Sequence, residues 1–288
     1  MHIANVGVIG GGLMGAGIAE VCARAGLNVM VAEVDVPALD AARKRIDVSL
    51  GRAVRNGKLS DEERSTTAGR LTYTLDLNEF ADRDLVVEAV AEREDVKVDV
   101  FSRLDKIVAR PDAILASNTS SIPIMKLAMA TTRAEQVVGV HFFNPVPVLP
   151  LVELIPSLLT SPDTRDRAAA FATETLGKTV VHAQDRSGFV VNALLIPYLL
   201  SAIRMLESGF AAAEDIDNGM MHGCAHPMGP LRLADLIGLD TTTAVAESMY
   251  AEFKEPLYAP PPLLLRMVDA GLYGRKSGRG FYDYRKDA

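Results

Sequence analysis

Residues 7–20 read GVIGGGLMGAGIAE, and this stretch decides the fold. The residues leading into it, 3–9 (IANVGVI), fit a short buried strand, and the helical pattern that follows, Ala16 to Ala25, stops at Gly26. Between strand and helix, Gly10, Gly12 and Gly15 are spaced Gly-x-Gly-x-x-Gly. In that setting each glycine has a task. Gly10 permits a tight turn, Gly12 lets the backbone approach a pyrophosphate, and Gly15 lets the helix pack close on the strand. The helix N-terminus then presents unpaired N–H groups and a favourable dipole to an anion. An ordinary Gly-rich turn in another α/β protein is the competing reading. A signal peptide fails on charge, since no Lys or Arg precedes Arg24, and six glycines within residues 3–19 weaken an apolar helix.

Working outward, NVMVAEV reads as a second strand ending near Glu33, 18 residues after Gly15. A carboxylate there accepts both ribose hydroxyls of a dinucleotide and repels a 2′-phosphate, which favours NAD over NADP. A long helical stretch with alternating charge runs from Pro37 to Arg55. NGKLSDEER follows as a turn with a fresh N-cap at Ser60 or Asp61. LTYT, DLVVEAV, AILASN and VVGVHF read as further short strands, with a helix over Glu92–Ala109. Strand and helix alternate over about 150 residues, which predicts an open parallel sheet with helices on both faces. The last strand is KTVVHA, Lys178–Ala183. Beyond it the pattern is helical: Val190–Glu207, Ala213–Gly223, Leu231–Glu252 and Pro262–Ala270. A domain boundary is placed near Gln184–Ser187, giving parts 1–184 and 185–288.

Composition narrows the function classes. The chain of 288 residues is 49% hydrophobic and 23% charged, with a formal net charge of −7. That is enough chain to bury a sizeable core without disulfide or metal staples. A nucleic-acid partner calls for a basic excess, and no Lys/Arg run is present. The apolar run Val190 to Ile203 is too short to span a bilayer and contains Asn192 and Pro197. The reading is therefore cytoplasmic, with neither nucleic acid nor membrane as partner. Cys22 and Cys224 are expected to be two buried thiols in a reducing compartment. No HExxH or CxxC spacing offers a metal site.

Among five histidines, His141 stands apart. It lies at the end of an apolar strand, where open α/β sheets place their ligands. Glu153 follows twelve residues later in a second apolar strand, PLVELI. A carboxylate beside an imidazole holds one tautomer and favours the protonated ring. That pair suits oxidation of an alcohol, where a base must take the hydroxyl proton as hydride leaves. A core histidine bonded to backbone is the alternative. SNTSS, Ser117–Ser121, ends another strand and either caps the next helix or contacts a ligand. It lacks the GxSxG setting of a nucleophilic serine.

Together these motifs resemble the 3-hydroxyacyl-CoA dehydrogenase family. The carriers are VIGGGLMGAGIA (8–19), VVEAVAE (86–92), ASNTSS (116–121), GVHFFNPVPVLPLVELI (139–155), DRSGFVVNALL (185–195), HPMGPLRLADLIGLDT (226–241) and GRKSGRGFYDY (274–284). They stand in the family's order and span nearly the whole chain. The resemblance implies an α/β fold, a Rossmann-like dinucleotide-binding domain followed by an all-helical domain for substrate and dimer contacts. It implies NAD as cofactor, an acyl-CoA substrate, short-chain 3-hydroxybutyryl-CoA among them, and a homodimer. It implies that His141 is the acid/base, Glu153 its partner, and that Ser120 and Asn192 hold the substrate oxygen. Gly10, Gly12, Leu13, Met14 and Gly15 would cradle NAD, with Glu33 on the adenosine ribose and Glu92, Lys97, Ser120, Asn144 and Lys276 at further contacts. Ser49 and Lys58 lie in the helical hairpin that contacts coenzyme A in relatives. Both ligands are expected in a cleft between the domains.

Two departures are visible. Glu33 stands where many relatives have Asp, and Pro150 occupies a place often held by Lys or Met. No hydratase domain precedes residue 1, so the multifunctional form of the family is not expected. Two rival readings stay open: a dehydrogenase of free 3-hydroxy acids, and a catalytically silent NAD-binding protein.

Overall fold

In the computed structural model, which describes residues 3–285, the chain divides after Arg186 into two compact units. The first is built on an eight-stranded sheet. Its strands are β1 (Asn5–Ile9), β2 (Asn28–Ala32), β3 (Leu71–Thr74), β4 (Leu85–Glu88), β5 (Ile114–Ser117), β6 (Val137–Phe142), β7 (Leu151–Pro156) and β8 (Thr179–His182), in spatial order 3-2-1-4-5-6-7-8. Strands β4, β5 and β6 are buried along their whole length. They are near-continuous runs of Val, Ile, Leu and Ala, as expected of strands covered on both faces.

The sheet is mixed rather than wholly parallel, which corrects the sequence expectation. β1 to β6 run parallel, β7 runs antiparallel to β6, and β8 is parallel to β7. Chain length explains it. The eight residues 143–150 between β6 and β7 are too few for a crossover, so the chain turns back beside β6.

Helices α1 (Leu13–Arg24), α2 (Val36–Arg55), α3 (Asp61–Gly69), α4 (Glu94–Ile107), α5 (Ile124–Ala128) and α6 (Pro162–Ala170) connect the strands. Their starts follow local chemistry. Asp35 caps α2 through Ala38 N–H, with Pro37 in the first turn. Ser60 and Glu63 form a reciprocal capping box on α3. Helix α1 differs: its N-cap is Gly12, no side chain caps it, and its first turn carries no acidic residue. The fold thus leaves that end open for an anion.

The second unit is helical: α7 (Val191–Glu207), α8 (Ala213–Gly223), α9 (Pro230–Ile237), α10 (Leu239–Phe253) and α11 (Pro262–Asp269). Sequence periodicity reads Leu231–Glu252 as one helix. The structure breaks it at Gly238, whose φ of 105° lies outside the helical range and is open to glycine. Two buried carboxylates fasten the segment that follows α11. Asp235 accepts the N–H groups of Phe281 and Tyr282, and Asp217 accepts those of Leu231 and Arg232 and the Tyr282 hydroxyl. The core of this unit is formed by Ile196, Leu199, Leu200 and Ile203 packed with Leu231, Leu239, Met249 and Leu264. Among the described residues, no helix is long and apolar enough to cross a membrane.

The expectation of two buried thiols is half corrected. Cys22 is fully buried in α1, and burial pushes its thiol up to about 12. Cys224, just past the end of α8, is exposed.

Candidate active site

The parallel strands β1, β4, β5 and β6 end at one edge of the sheet, where open α/β sheets bind ligands. At the end of β1, Gly10 has φ +89° and donates its N–H to Ala32 O at 2.9 Å. A Cβ on Gly15 would stand 1.7 Å from Gly10 O, so the loop closes only with glycine there. A Cβ on Gly12 would meet nothing within 4 Å. Gly12 therefore faces open space at the uncapped start of α1, beside exposed Leu13 and half-buried Met14. Those features fit a diphosphate on backbone N–H groups.

Glu33 lies directly after β2. Its Oε1 accepts Gly11 N–H at 2.6 Å, which ties the carboxylate to the glycine loop. Arg45, on α2, donates to Gly11 O at 3.2 Å and so stands at the same loop. Sequence reading did not single out Arg45; its only signal is its place on the charged helix after Glu33.

At the end of β6, His141 lies opposite Glu153 in the β6–β7 register. Nδ1 of His141 is 2.7 Å from Glu153 Oε2. Glu153 is fully buried and the His141 side chain is 9% exposed. Phe143 packs on the imidazole with ring centroids 4.6 Å apart. The antiparallel turn back into β7 makes this pair, placing two residues twelve apart side by side. A carboxylate at Nδ1 fixes the ring orientation and assigns proton exchange to Nε2.

SNTSS forms the turn after β5. Asn118 Oδ1 accepts Phe142 N–H at 2.9 Å, stitching this turn to the β6 end beside His141. Thr119 Oγ1 accepts the N–H groups of Ser121 and Ile122, while the N-cap of α5, Pro123, provides no side-chain bond. The cluster therefore orders its own turn rather than capping α5 by a serine. Glu92 Oε1 accepts the N–H of Ser120 at 3.0 Å and of Ser121 at 3.2 Å, and the hydroxyls of Thr119 and Ser121. Burial raises the Glu92 carboxyl, but Lys97 and these hydroxyls outweigh it and hold the group below the usual carboxylate range. Ser120 is half-buried, and its hydroxyl makes no hydrogen bond among the described residues. Asn144 is exposed after β6. In the loop that follows, Lys178 Nζ donates to Val146 O and Leu149 O, each at 2.7 Å.

The remaining candidates sit elsewhere. Ser49 is half-buried on α2; burial pushes the Glu20 carboxyl of α1 upward, while Ser49 and Arg24 pull it down. Lys58 is exposed on a groove of about 770 Å³ that it lines with Arg24, Arg70 and Lys178, and with Glu62, Glu63 and Glu174. His141, Glu153 and Ser120 do not line this groove. In the helical unit, Asn192 is the second residue of α7, and Lys276 pairs with Asp240 at 2.6 Å. His2 lies outside the described residues. Among the described residues, no group of three or more His, Cys, Asp or Glu is arranged to hold a metal.

Residues 5–186 match the family model for the 3-hydroxyacyl-CoA dehydrogenase NAD binding domain, and residues 188–284 match that for the 3-hydroxyacyl-CoA dehydrogenase C-terminal domain. The chain is 60% identical over 282 residues to a 3-hydroxybutyryl-CoA dehydrogenase of Mycobacterium tuberculosis, covering 98% of this chain and 99% of the relative. It is 42% identical to the human mitochondrial hydroxyacyl-coenzyme A dehydrogenase, over 98% of this chain and 92% of that one. Among solved structures, M. tuberculosis FadB2 superimposes with a TM-score of 0.98 at 60% identity, over 99% of this chain and all (100%) of that one. The (S)-3-hydroxybutyryl-CoA dehydrogenase PaaH1 of Ralstonia eutropha gives 0.93 at 44% identity, over 98% and 99% of the two chains.

Proposed function

Because the chain belongs to the 3-hydroxyacyl-CoA dehydrogenase family, we propose that it interconverts (S)-3-hydroxyacyl-CoA and 3-oxoacyl-CoA with NAD, with 3-hydroxybutyryl-CoA as a substrate. The observation that carries this reading is the buried His141–Glu153 pair, 2.7 Å apart, at the ligand-binding edge of a dinucleotide-type sheet. The open space at Gly12 and the uncapped α1 fit the diphosphate of NAD, and Glu33, tied to the same loop, would hold the adenosine ribose. NAD, when bound, supplies the hydride acceptor.

The chain's own residues handle orientation and the proton. Ser120 binds the substrate's 3-oxygen, and Asn192, in the helical unit, is assigned a substrate contact. In oxidation, His141 Nε2 takes the proton of the substrate hydroxyl. Glu153 stabilises the imidazolium so formed, in a site where water does little to screen the pair. In reduction, the same imidazolium returns its proton to the oxygen. Glu92, Lys97, Asn144 and Lys276 would make the further cofactor contacts, and Glu92 and Lys97 also shape the turn that carries Ser120. Ser49 and Lys58 serve coenzyme A. The groove's cations Arg24, Lys58, Arg70 and Lys178, set among Glu62, Glu63 and Glu174, offer partners to the coenzyme A phosphates.

A homodimer in the cytoplasm completes the proposal. The helical unit exposes Leu194 at 74% and Phe210 at 80%, apolar surface suited to a second copy. Two free thiols fit a reducing compartment. Sedimentation of the purified protein at dimer mass supports the pairing; a monomer refutes it. The activity is tested by following NADH loss with acetoacetyl-CoA against free acetoacetate. Turnover of the thioester alone supports the reading. Turnover of the free acid alone moves the chain to a free hydroxy-acid dehydrogenase.

A further inference from the structure

A closed ring of hydrogen bonds and one ion pair underlies the turn that carries Ser120. It starts at Glu88, the last residue of β4. The β4–β5 register sets Glu88 opposite Ser117, and Ser117 Oγ donates to Glu88 Oε2 at 2.6 Å. Ser117 Oγ also accepts Thr119 N–H at 3.2 Å. Thr119 Oγ1 donates to Glu92 Oε1, and Glu92 Oε2 lies 3.2 Å from Lys97 Nζ. Lys97 Nζ then donates to Glu88 Oε1 at 2.6 Å and closes the ring.

The charges in the ring are two carboxylates and one ammonium. Glu88 and Lys97 are essentially out of water, at 0% and 1% side-chain exposure. Such charges persist only when paired and hydrogen-bonded. Glu88 has no surface with which to touch a ligand. It does reach the turn by two routes, through Ser117 to the Thr119 backbone and through Lys97 to Glu92. Glu92 in turn grips Thr119, Ser120 and Ser121 together. Loss of the Glu88 charge leaves Lys97 with Glu92 as its sole carboxylate in the ring. Lys97 then draws Glu92 away from the turn.

We infer that Glu88 is a positioning residue for the Ser120 hydroxyl, acting through Ser117 on one side and Lys97 and Glu92 on the other. The inference rests on the reading of Ser120 as the group that holds the substrate oxygen. Displacement of such a group by an ångström costs on the order of 100-fold in rate.

A double-mutant cycle separates positioning from a general structural role. The variants are Glu88→Gln, Ser120→Ala and both together, each assayed with acetoacetyl-CoA and NADH, with NADH affinity measured by titration. Glu88→Gln keeps the shape and removes the charge. It is expected to lower kcat roughly 10- to 100-fold, with a smaller loss of NADH affinity through Glu92. Ser120→Ala is expected to lose about 100-fold, and the double variant to stay within about threefold of Ser120→Ala. Losses that multiply in the double variant overturn the inference. So does an NADH affinity that falls as far as kcat. Should Glu88→Gln not fold, Ser117→Ala cuts the other route without changing charge. It is expected to show a smaller loss with the same non-additivity toward Ser120→Ala, and multiplying losses again overturn the inference. Wild-type turnover in Ser120→Ala removes the Ser120 reading and this inference with it, whereas a multiplying double variant removes this inference alone.

Discussion

Glu153 and His141 face each other across β6 and β7 in register, with Oε2 2.7 Å from Nδ1. Backbone pairing alone brings them together. The carboxylate is fully buried, so its interaction with the imidazole is little screened by solvent. A base with a fixed tautomer at the carboxyl edge of the sheet is what alcohol oxidation asks of a protein.

The glycine loop makes two opposite predictions from one motif. A methyl on Gly15 would lie 1.7 Å from Gly10 O, so Gly15→Ala is expected to lower stability by about 1–3 kcal/mol or more. A methyl on Gly12 meets nothing within 4 Å, so Gly12→Ala is expected to keep the wild-type Tm. It fills the space left for a diphosphate, and NADH affinity is expected to fall by about tenfold or more. Thermal melts and NADH titrations of the two variants decide the matter. A Gly12→Ala protein that binds NADH normally would put the diphosphate elsewhere.

Glu33 is predicted to govern cofactor choice. Its carboxylate stands at the loop that Arg45 also touches. Glu33→Ala removes the negative charge and leaves the guanidinium. The NADPH-to-NADH preference is expected to rise by about tenfold or more, since repulsion of the 2′-phosphate is gone. Measurement of kcat/KM with each cofactor tests this. An unchanged ratio would mean that Glu33 does not face the ribose.

Glu92 gives the acid limb of stability a specific source. Its folded pKa is lowered by Lys97 and the Thr119 and Ser121 hydroxyls, against the effect of burial. A carboxyl with a depressed folded pKa binds fewer protons than in the unfolded chain. Its stabilisation is whole above the unfolded value of about 4.3 and is lost as pH falls through the folded value. The Tm difference between wild type and Glu92→Gln is therefore expected to be largest near neutral pH and to shrink below about pH 4. Parallel Tm curves across that range would contradict the assignment.

The two thiols are predicted to behave differently. Cys224 is exposed, while Cys22 is buried with its thiol pushed up to about 12. Alkylation at about pH 8 is expected to label Cys224 in the folded protein and Cys22 only after unfolding. Equal labelling rates would show that α1 opens in solution.

Much of the fold is legible in the sequence because its signals are local. The glycine spacing, the apolar strands and the Ser60 cap each rest on a few neighbouring residues. His141 and Glu153 were also within reach, since two apolar strands with a short connection must pair side by side. The antiparallel direction of β7 is carried by the short connection 143–150 and not by the strand itself, whose apolar run looks the same in either direction. Gly238 breaks a helix whose apolar pattern continues across it, so periodicity alone joins α9 to α10. Glu88 carried one signal, an acid inside the apolar run DLVVEAV. Its meaning depends on Ser117 lying opposite it, a relation set by the β4–β5 register and by nothing nearby in the chain. Exposure of Cys224 depends likewise on how the end of α8 packs.

The central claim is that His141 is the acid/base of an NAD-dependent 3-hydroxyacyl-CoA dehydrogenase. It is tested most directly by NADH consumption with acetoacetyl-CoA, comparing wild type with His141→Ala, and by NADH titration of both. Rapid consumption by wild type is expected, with kcat lower by about 10²- to 10⁴-fold in the variant and NADH affinity retained. A His141→Ala enzyme that binds NADH and turns over at the wild-type rate would contradict the account.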